Sequence, residues 1–217
     1  MSDEIMPDSA TDPELSVRVV NVGRLQVQSG RVYCCDPFLS HEVNALEETV
    51  PAGKYDVDVC VVTLPQWGSR VALARLHLST AKPVEWQQAT YVIDGERESE
   101  FRVDAGLACF MDQQTRDLFV RVVNEFHAAD ENANYYDDIL AAEFKQNADP
   151  ANPYHAGDWA LHTVVAGQPA NVAMFASGLG DGFYSAYWGV DDTGKPALLV
   201  ADFGILPTEV YEQVLLS

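Results

Sequence analysis

The chain has 217 residues, enough for one large domain whose core needs neither a metal nor a disulfide. Its 33 acidic residues against 13 basic ones give a net charge of −20. That balance argues against direct binding of nucleic acid and against docking on anionic membrane surfaces, both of which need clustered Lys and Arg. No run of about 18 apolar residues marks a transmembrane helix.

Met1 to Glu14 is acidic and polar and lacks the basic start and apolar middle of a signal peptide. It is expected to be a flexible tail (residues 1–14) before a single domain (residues 15–217), with the cytoplasm as the expected compartment. Ser16 to Asn21 reads as a strand. Arg24–Gln28 and Arg31–Cys35 flank Ser29-Gly30, which predicts a hairpin turn. From Tyr55 to Val62 the chain alternates, with Tyr55, Val57, Val59 and Val61 on one face and Asp56 and Asp58 on the other. The expectation is a half-solvated strand. Val71 to Leu78 is another strand, with Ala72, Ala74, Leu76 and Leu78 opposite Arg75 and His77. Val84 to Ile93 predicts a strand with Trp86 inward, and Asp94-Gly95 a tight turn. Phe101–Val103 and Leu107–Met111 are short strands around Ala105-Gly106.

The period then changes. Asp112 can cap a helix running to about His127, with Leu118, Phe119, Val122, Val123 and Phe126 at three- and four-residue spacing. Asn134 can cap a second helix, Tyr135 to Gln146, with Ile139, Leu140 and Phe144 inward. Asp149–Gly157, with two prolines and a glycine, reads as a loop. Four strands follow: Trp159–Val165, Asn171–Ala176, Tyr184–Val190 and Ala197–Phe203. Asp191–Gly194 makes the last hairpin turn, and Thr208 can cap a final helix through Leu215. The fold class is mainly β (α+β): an antiparallel sandwich or barrel-like sheet with two inserted helices near residues 112–146 covering an edge or face.

The chemistry-bearing motifs are few. Ser177–Gly182 (SGLGDG) has glycines at 178, 180 and 182, but Phe183 and a strand follow where a dinucleotide fingerprint needs a helix. It reads as a structural loop, with Asp181 able to cap N–H groups of its own turn, or alternatively as a binding loop. Ser177 lacks the frame of a nucleophile elbow. Cys34, Cys35, Cys60 and Cys109 lie in apolar contexts with no CxxC pair and read as small buried thiols. His41, His77, His127, His155 and His162 show no metal-ligand spacing. No catalytic residue, metal or cofactor is therefore expected. Asp202, between LLVA and FG, needs partners in its apolar setting.

The segments GRVYCCDPF (Gly30–Phe38), VPAGKYDVDV (Val50–Val59), VDAGLACFMD (Val103–Asp112) and above all GDGFYSAYWGVDDTGKPALLVADFG (Gly180–Gly204) resemble the DUF4241 family of bacterial proteins. The resemblance covers most of Gly30–Leu206 and implies that Asp36, Pro37, Gly53, Tyr55, Asp104, Gly106, Asp112, Gly180, Asp181, Gly182, Tyr184, Trp188, Asp202 and Gly204 are family positions. It carries over no catalytic residue, because the family is named for lacking a known function.

Ala128–Pro150 carries six acidic residues against Lys145, with Tyr135 and Tyr136 among them. Acidic side chains around exposed tyrosines suit a basic protein partner. The leading expectation is a non-enzymatic cytoplasmic binding protein, an immunity-type inhibitor that masks a cationic toxin domain. Asp130, Glu131, Tyr135, Tyr136, Asp137 and Asp138 would supply the contacts. The alternative is an enzyme or small-ligand binder with a pocket around Asp104, Asp181, Tyr184, Trp188 and Asp202. A passive structural domain is a third reading. Neither a nucleic acid nor a membrane is an expected partner, and the sequence leaves the oligomeric state open.

Overall fold

The computed structural model describes residues 16–64, 66–148, 150, 156–206 and 208–215. The expected tail and most of the expected loop at 149–157 lie outside them. In chain order the strands before the first helix are β1 (Ser16–Val27), β2 (Val32–Cys35), β3 (Gly53–Leu64), β4 (Gly68–His77), β5 (Glu85–Gln88), β6 (Tyr91–Ile93), β7 (Glu96–Glu98), β8 (Glu100–Val103) and β9 (Leu107–Asp112). Helix α1 (Gln113–Ala129) follows, then a π turn (Tyr136–Leu140) that runs into α2 (Ala141–Lys145). Strands β10 (Trp159–Thr163), β11 (Asn171–Ala176), β12 (Gly182–Val190) and β13 (Pro196–Asp202) and helix α3 (Thr208–Leu215) complete the described chain.

The strands form two stacked antiparallel sheets and a small β6–β7 hairpin. The larger sheet has the order β1-β3-β4-β13-β12, and β5 and β8 share the far edge of β12. The smaller has the order β10-β11-β9-β2. The sheets stay open, so the fold is a sandwich and not a closed barrel. Strand parity sorts the side chains into layers. Val57, Val59, Leu199, Ala201 and Trp188 of the large sheet meet Cys34, Phe110, Ala173 and Phe175 of the small one. On the other face of the small sheet, Tyr33, Cys35, Cys109, Met111, Val172 and Met174 pack under the helical insert through Phe119, Tyr135, Leu140 and Phe144. On the other face of the large sheet, Cys60, Val62, Leu73, Leu198 and Val200 pack under α3 through Val214. The order of layers is helix, sheet, sheet, helix. The inserted helices cover a face.

Buried carboxylates tie the loops to this frame. Asp112 caps α1 by accepting from Gln114 N, as its position predicts. It also accepts from Gln28 N, Ser29 N and the Ser29 hydroxyl, at 2.6–3.1 Å. At the open side of the sandwich the Asn171 amide imitates a strand. Its Oδ1 accepts from Gln26 N and its Nδ2 donates to Arg24 O, both at 2.8 Å, joining β1 to the small sheet.

Five local expectations are corrected. Ser29-Gly30 is no hairpin, because β1 pairs with β3 while β2 pairs with β9 in the other sheet. The strand expected at 55–62 is covered on both faces from Val57 onward, so Asp58 is buried while Asp56 stays exposed. A bulge between Cys60 and Val61 shifts the β3–β4 register, and Ala72 joins the core under α3. Val84–Ile93 divides into β5 and β6, with Trp86 half-buried on the outer face. In the second helical segment Ala141 N donates to Tyr136 O, five residues back. The extra residue in that turn rotates Ile139 outward while Leu140 and Phe144 stay buried.

Candidate functional site

A cleft of about 880 Å³ opens where the helical insert meets the loop between β8 and β9. One wall is the end of α1 and the segment after it: His127, Asn132, Ala133, Asn134, Tyr135 and Tyr136. The opposite wall is Ala105, Gly106 and Leu107, with Phe38 and Ala176 beside it. Gly157 closes the end of the insert. Its φ is +93°, and an added Cβ would lie 1.9 Å from Phe144 O, so only glycine fits there.

The loop wall is held by carboxylate and hydroxyl hydrogen bonds to backbone. Asp36, fully buried, accepts from Phe38 N at 2.8 Å and from Asp104 N and Ala105 N at 2.9 Å. Asp181 accepts from Gly106 N at 2.9 Å, and Ser177 N donates to Gly106 O at 3.1 Å. The Tyr184 hydroxyl donates to Gly180 O at 2.7 Å and lies 3.0 Å from Ser177 O. The glycine-rich loop is thus an internally bonded brace for the cleft wall. Asp181 caps the neighbouring loop and not its own turn, because the chain reversal at Gly178 and Gly180 (φ +60° and +112°) aims it at Gly106.

The insert wall is held from behind. The Tyr135 hydroxyl lies 3.0 Å from His162 Nε2, and His162 Nδ1 lies 3.0 Å from Glu143 Oε1. A proton on Nδ1 serves the carboxylate and leaves Nε2 to accept from the phenol. Burial pushes the Tyr135 hydroxyl above its ordinary pKa, with the Glu143 charge adding to it. Asn134 Oδ1 accepts from Tyr136 N and Asp137 N. Asp130 accepts from Asn132 N, and Asp138 from Asn134 N.

These placements sort the expected site residues. Asp130, Glu131, Asp137 and Asp138 are exposed on the insert, and Tyr136 is half-buried in the cleft wall. Tyr135 corrects the expectation of an exposed contact. It is 4% exposed, because its ring packs edge-on against Phe119 and Phe126 and its hydroxyl turns to His162. Asp104 and Asp181 are exposed on the opposite lip, Asp104 paired with Arg102 at 3.0 Å. The pocket expected from Asp104, Asp181, Tyr184, Trp188 and Asp202 does not bring its five members together. Trp188 is buried between the sheets. Asp202 faces α3, where it accepts from the Tyr211 hydroxyl and from Gly204 N.

The sequence reading missed a buried cluster on the outer face of the large sheet. Arg75 Nε donates to Asp58 Oδ1 at 2.6 Å and Nη2 to Oδ2 at 3.1 Å, Arg75 Nη1 donates to Val214 O, and His77 Nε2 lies 2.7 Å from Asp58 Oδ2. The signal for it was a strand-centre Asp and Arg that only the β3–β4 register pairs. The cysteines are free and buried, as expected. Burial and the neighbouring Cys35 push the Cys34 thiol well up, and burial raises Cys60 to about 11. Among the described residues no group of three or more His, Cys, Asp or Glu could hold a metal ion. No described helix is long and apolar enough to cross a membrane.

The molecule is a mainly β sandwich whose inserted helices and braced β8–β9 loop enclose an acid-lipped cleft. It belongs to DUF4241, described as "Protein of unknown function", whose family model matches residues 25–201. That span includes the loop brace, the insert, the smaller sheet and the larger sheet apart from most of β1. No curated protein and no solved structure matches the chain.

Proposed function

We propose that the protein is a non-enzymatic cytoplasmic binding protein that captures a basic protein segment in the cleft, in the manner of an immunity-type inhibitor masking a cationic toxin domain. The observation that carries this reading is a partly apolar cleft whose lining segments bear exposed carboxylates beside the lining residues. Phe38, Leu107 and the ring of Tyr136 give it apolar surface, while exposed carboxylates flank it on both sides: Asp130, Glu131, Asp137 and Asp138 on the insert, Asp104 and Asp181 on the loop. An apolar centre inside a charged rim is the anatomy of a protein interface. The net charge of −20 extends the attraction beyond the contact and speeds encounter with a cation.

The test compares the native protein with two variants in pull-downs from the host at low and high salt. One variant replaces Asp130, Glu131, Asp137 and Asp138 with their amides, and the other is Tyr136→Ala. The expected result is one stoichiometric basic protein, released by salt, associating at least about tenfold more slowly with the amide variant and dissociating faster from Tyr136→Ala. Equal retention by native protein and variants, or no retained protein at all, would sink the reading.

A further inference from the structure

The outer face of the large sheet holds a second cavity, of about 300 Å³, remote from the acid-lipped cleft in the layer order. Trp86 of β5, Tyr187 of β12, Val200 of β13, and Tyr211 and Leu215 of α3 line it. Three of its five lining side chains are aromatic. We propose that this cavity is a binding site for a small alkylated ammonium cation, held by the faces of Trp86, Tyr187 and Tyr211.

The walls are fixed by the fold. Tyr187 and Val200 are cross-strand partners in the β12–β13 ladder. Trp86 is opposite Gly189 in the β5–β12 ladder. A Cβ on Gly189 would come 3.0 Å from the Trp86 ring and 2.7 Å from Pro83, so the glycine makes room for the indole to lie against the sheet. Tyr211 is brought over by α3, and its hydroxyl donates to Asp202. That bond sends electron density back into the phenol ring and strengthens its face toward a cation. It also places a carboxylate beside the cavity.

The occupant follows from this chemistry. A neutral apolar ligand would use the area but not the charge. A compact, strongly hydrated ammonium would lose more hydration than a ring face returns. An alkylated ammonium is large, weakly hydrated and cationic, and aromatic faces recognise that combination. The volume suits a small molecule. Among the described residues, the cation–π contacts are Arg18 on Trp159 and Arg116 on Tyr33, so neither uses these three rings. The overall negative charge favours a cation here as well.

The experiment titrates the full chain with choline and with its uncharged carbon isostere, 3,3-dimethylbutan-1-ol, followed by calorimetry and tryptophan fluorescence. Saturable choline binding is expected, with the isostere about 2- to 30-fold weaker, the range a cation–π contact supplies. Trp86→Ala should lose most of the choline affinity. Tyr187→Leu keeps an apolar wall without the ring face. It should weaken choline at least about threefold and leave the isostere unchanged. Circular dichroism and melting show which variants remain folded, and Tyr187→Leu decides the matter if Trp86→Ala does not. Equal affinity for the two ligands would overturn the proposal, as would no saturable signal from folded protein at tens of millimolar choline.

Discussion

Asp58 shows how a single carboxylate is committed by its surroundings. Burial pushes its pKa up, but hydrogen bonds from His77 and Arg75, together with their charges, outweigh that and hold it below the usual carboxylate range. It therefore favours the folded state while ionised. That contribution is complete above the unfolded carboxylate value of about 4 and is lost as pH falls through the lower folded value. Asp58→Ala leaves the Arg75 charge buried without its carboxylate, and a loss of about 3–5 kcal/mol in urea unfolding is expected at neutral pH. A loss below about 1 kcal/mol would show that the network is solvated. The variant should also unfold with a flatter pH dependence below pH 4. The alternation of residues 55–62 shows that Asp58 opposes the valines. It does not show that this side is covered, because the cover is α3, whose Val214 carbonyl accepts from Arg75.

At the scale of elements, local signals and long-range pairing separate cleanly. The switch from alternation to helical spacing at Asp112, the Asn134 cap and the Asp94-Gly95 turn are local, and each stands where the sequence places it. Which sheet a strand joins is decided by partners far along the chain, such as β2 with β9 and β8 with β12, and no local pattern reports that. The same holds for the cleft. Asp36, Gly106 and Asp181 and the acidic insert all stand out in the sequence, but the meeting of the loop and the insert across one cavity is a product of topology. The insert itself leans on Tyr135, His162 and Glu143. Tyr135→Phe removes the hydroxyl and leaves His162 Nε2 buried without its partner, at a cost of about 1–2 kcal/mol. Because the bond anchors only the insert, hydrogen exchange should quicken across residues 136–146 while β9 and β11 keep their protection. Uniform acceleration across both regions would mean that the insert and the sandwich unfold as one unit.

At the scale of the whole molecule, the net charge of −20 acts on stability and on association with opposite sign. In the folded protein the carboxylates are closer together than in the unfolded chain, and their mutual repulsion opposes compaction. Raising sodium chloride from about 0.02 M to about 0.5 M shortens the screening length from about 20 Å to about 4 Å. Exposed pairs such as Arg24–Asp56 and Arg97–Glu47 already share their charges with solvent and lose little by this, and buried Arg75–Asp58 is screened far less. Relief of repulsion should therefore win. Melting should rise by about 2–4 °C for each kcal/mol gained, measured by calorimetry across the salt series. The same salt should slow capture of the proposed basic partner, since screening weakens the long-range attraction that guides encounter. A protein that melts higher and binds more slowly as salt rises is one whose carboxylates cost stability and serve recognition. If melting falls with salt, the ion pairs within the fold outweigh the repulsion among the excess carboxylates, and the stability cost assigned to them is overturned.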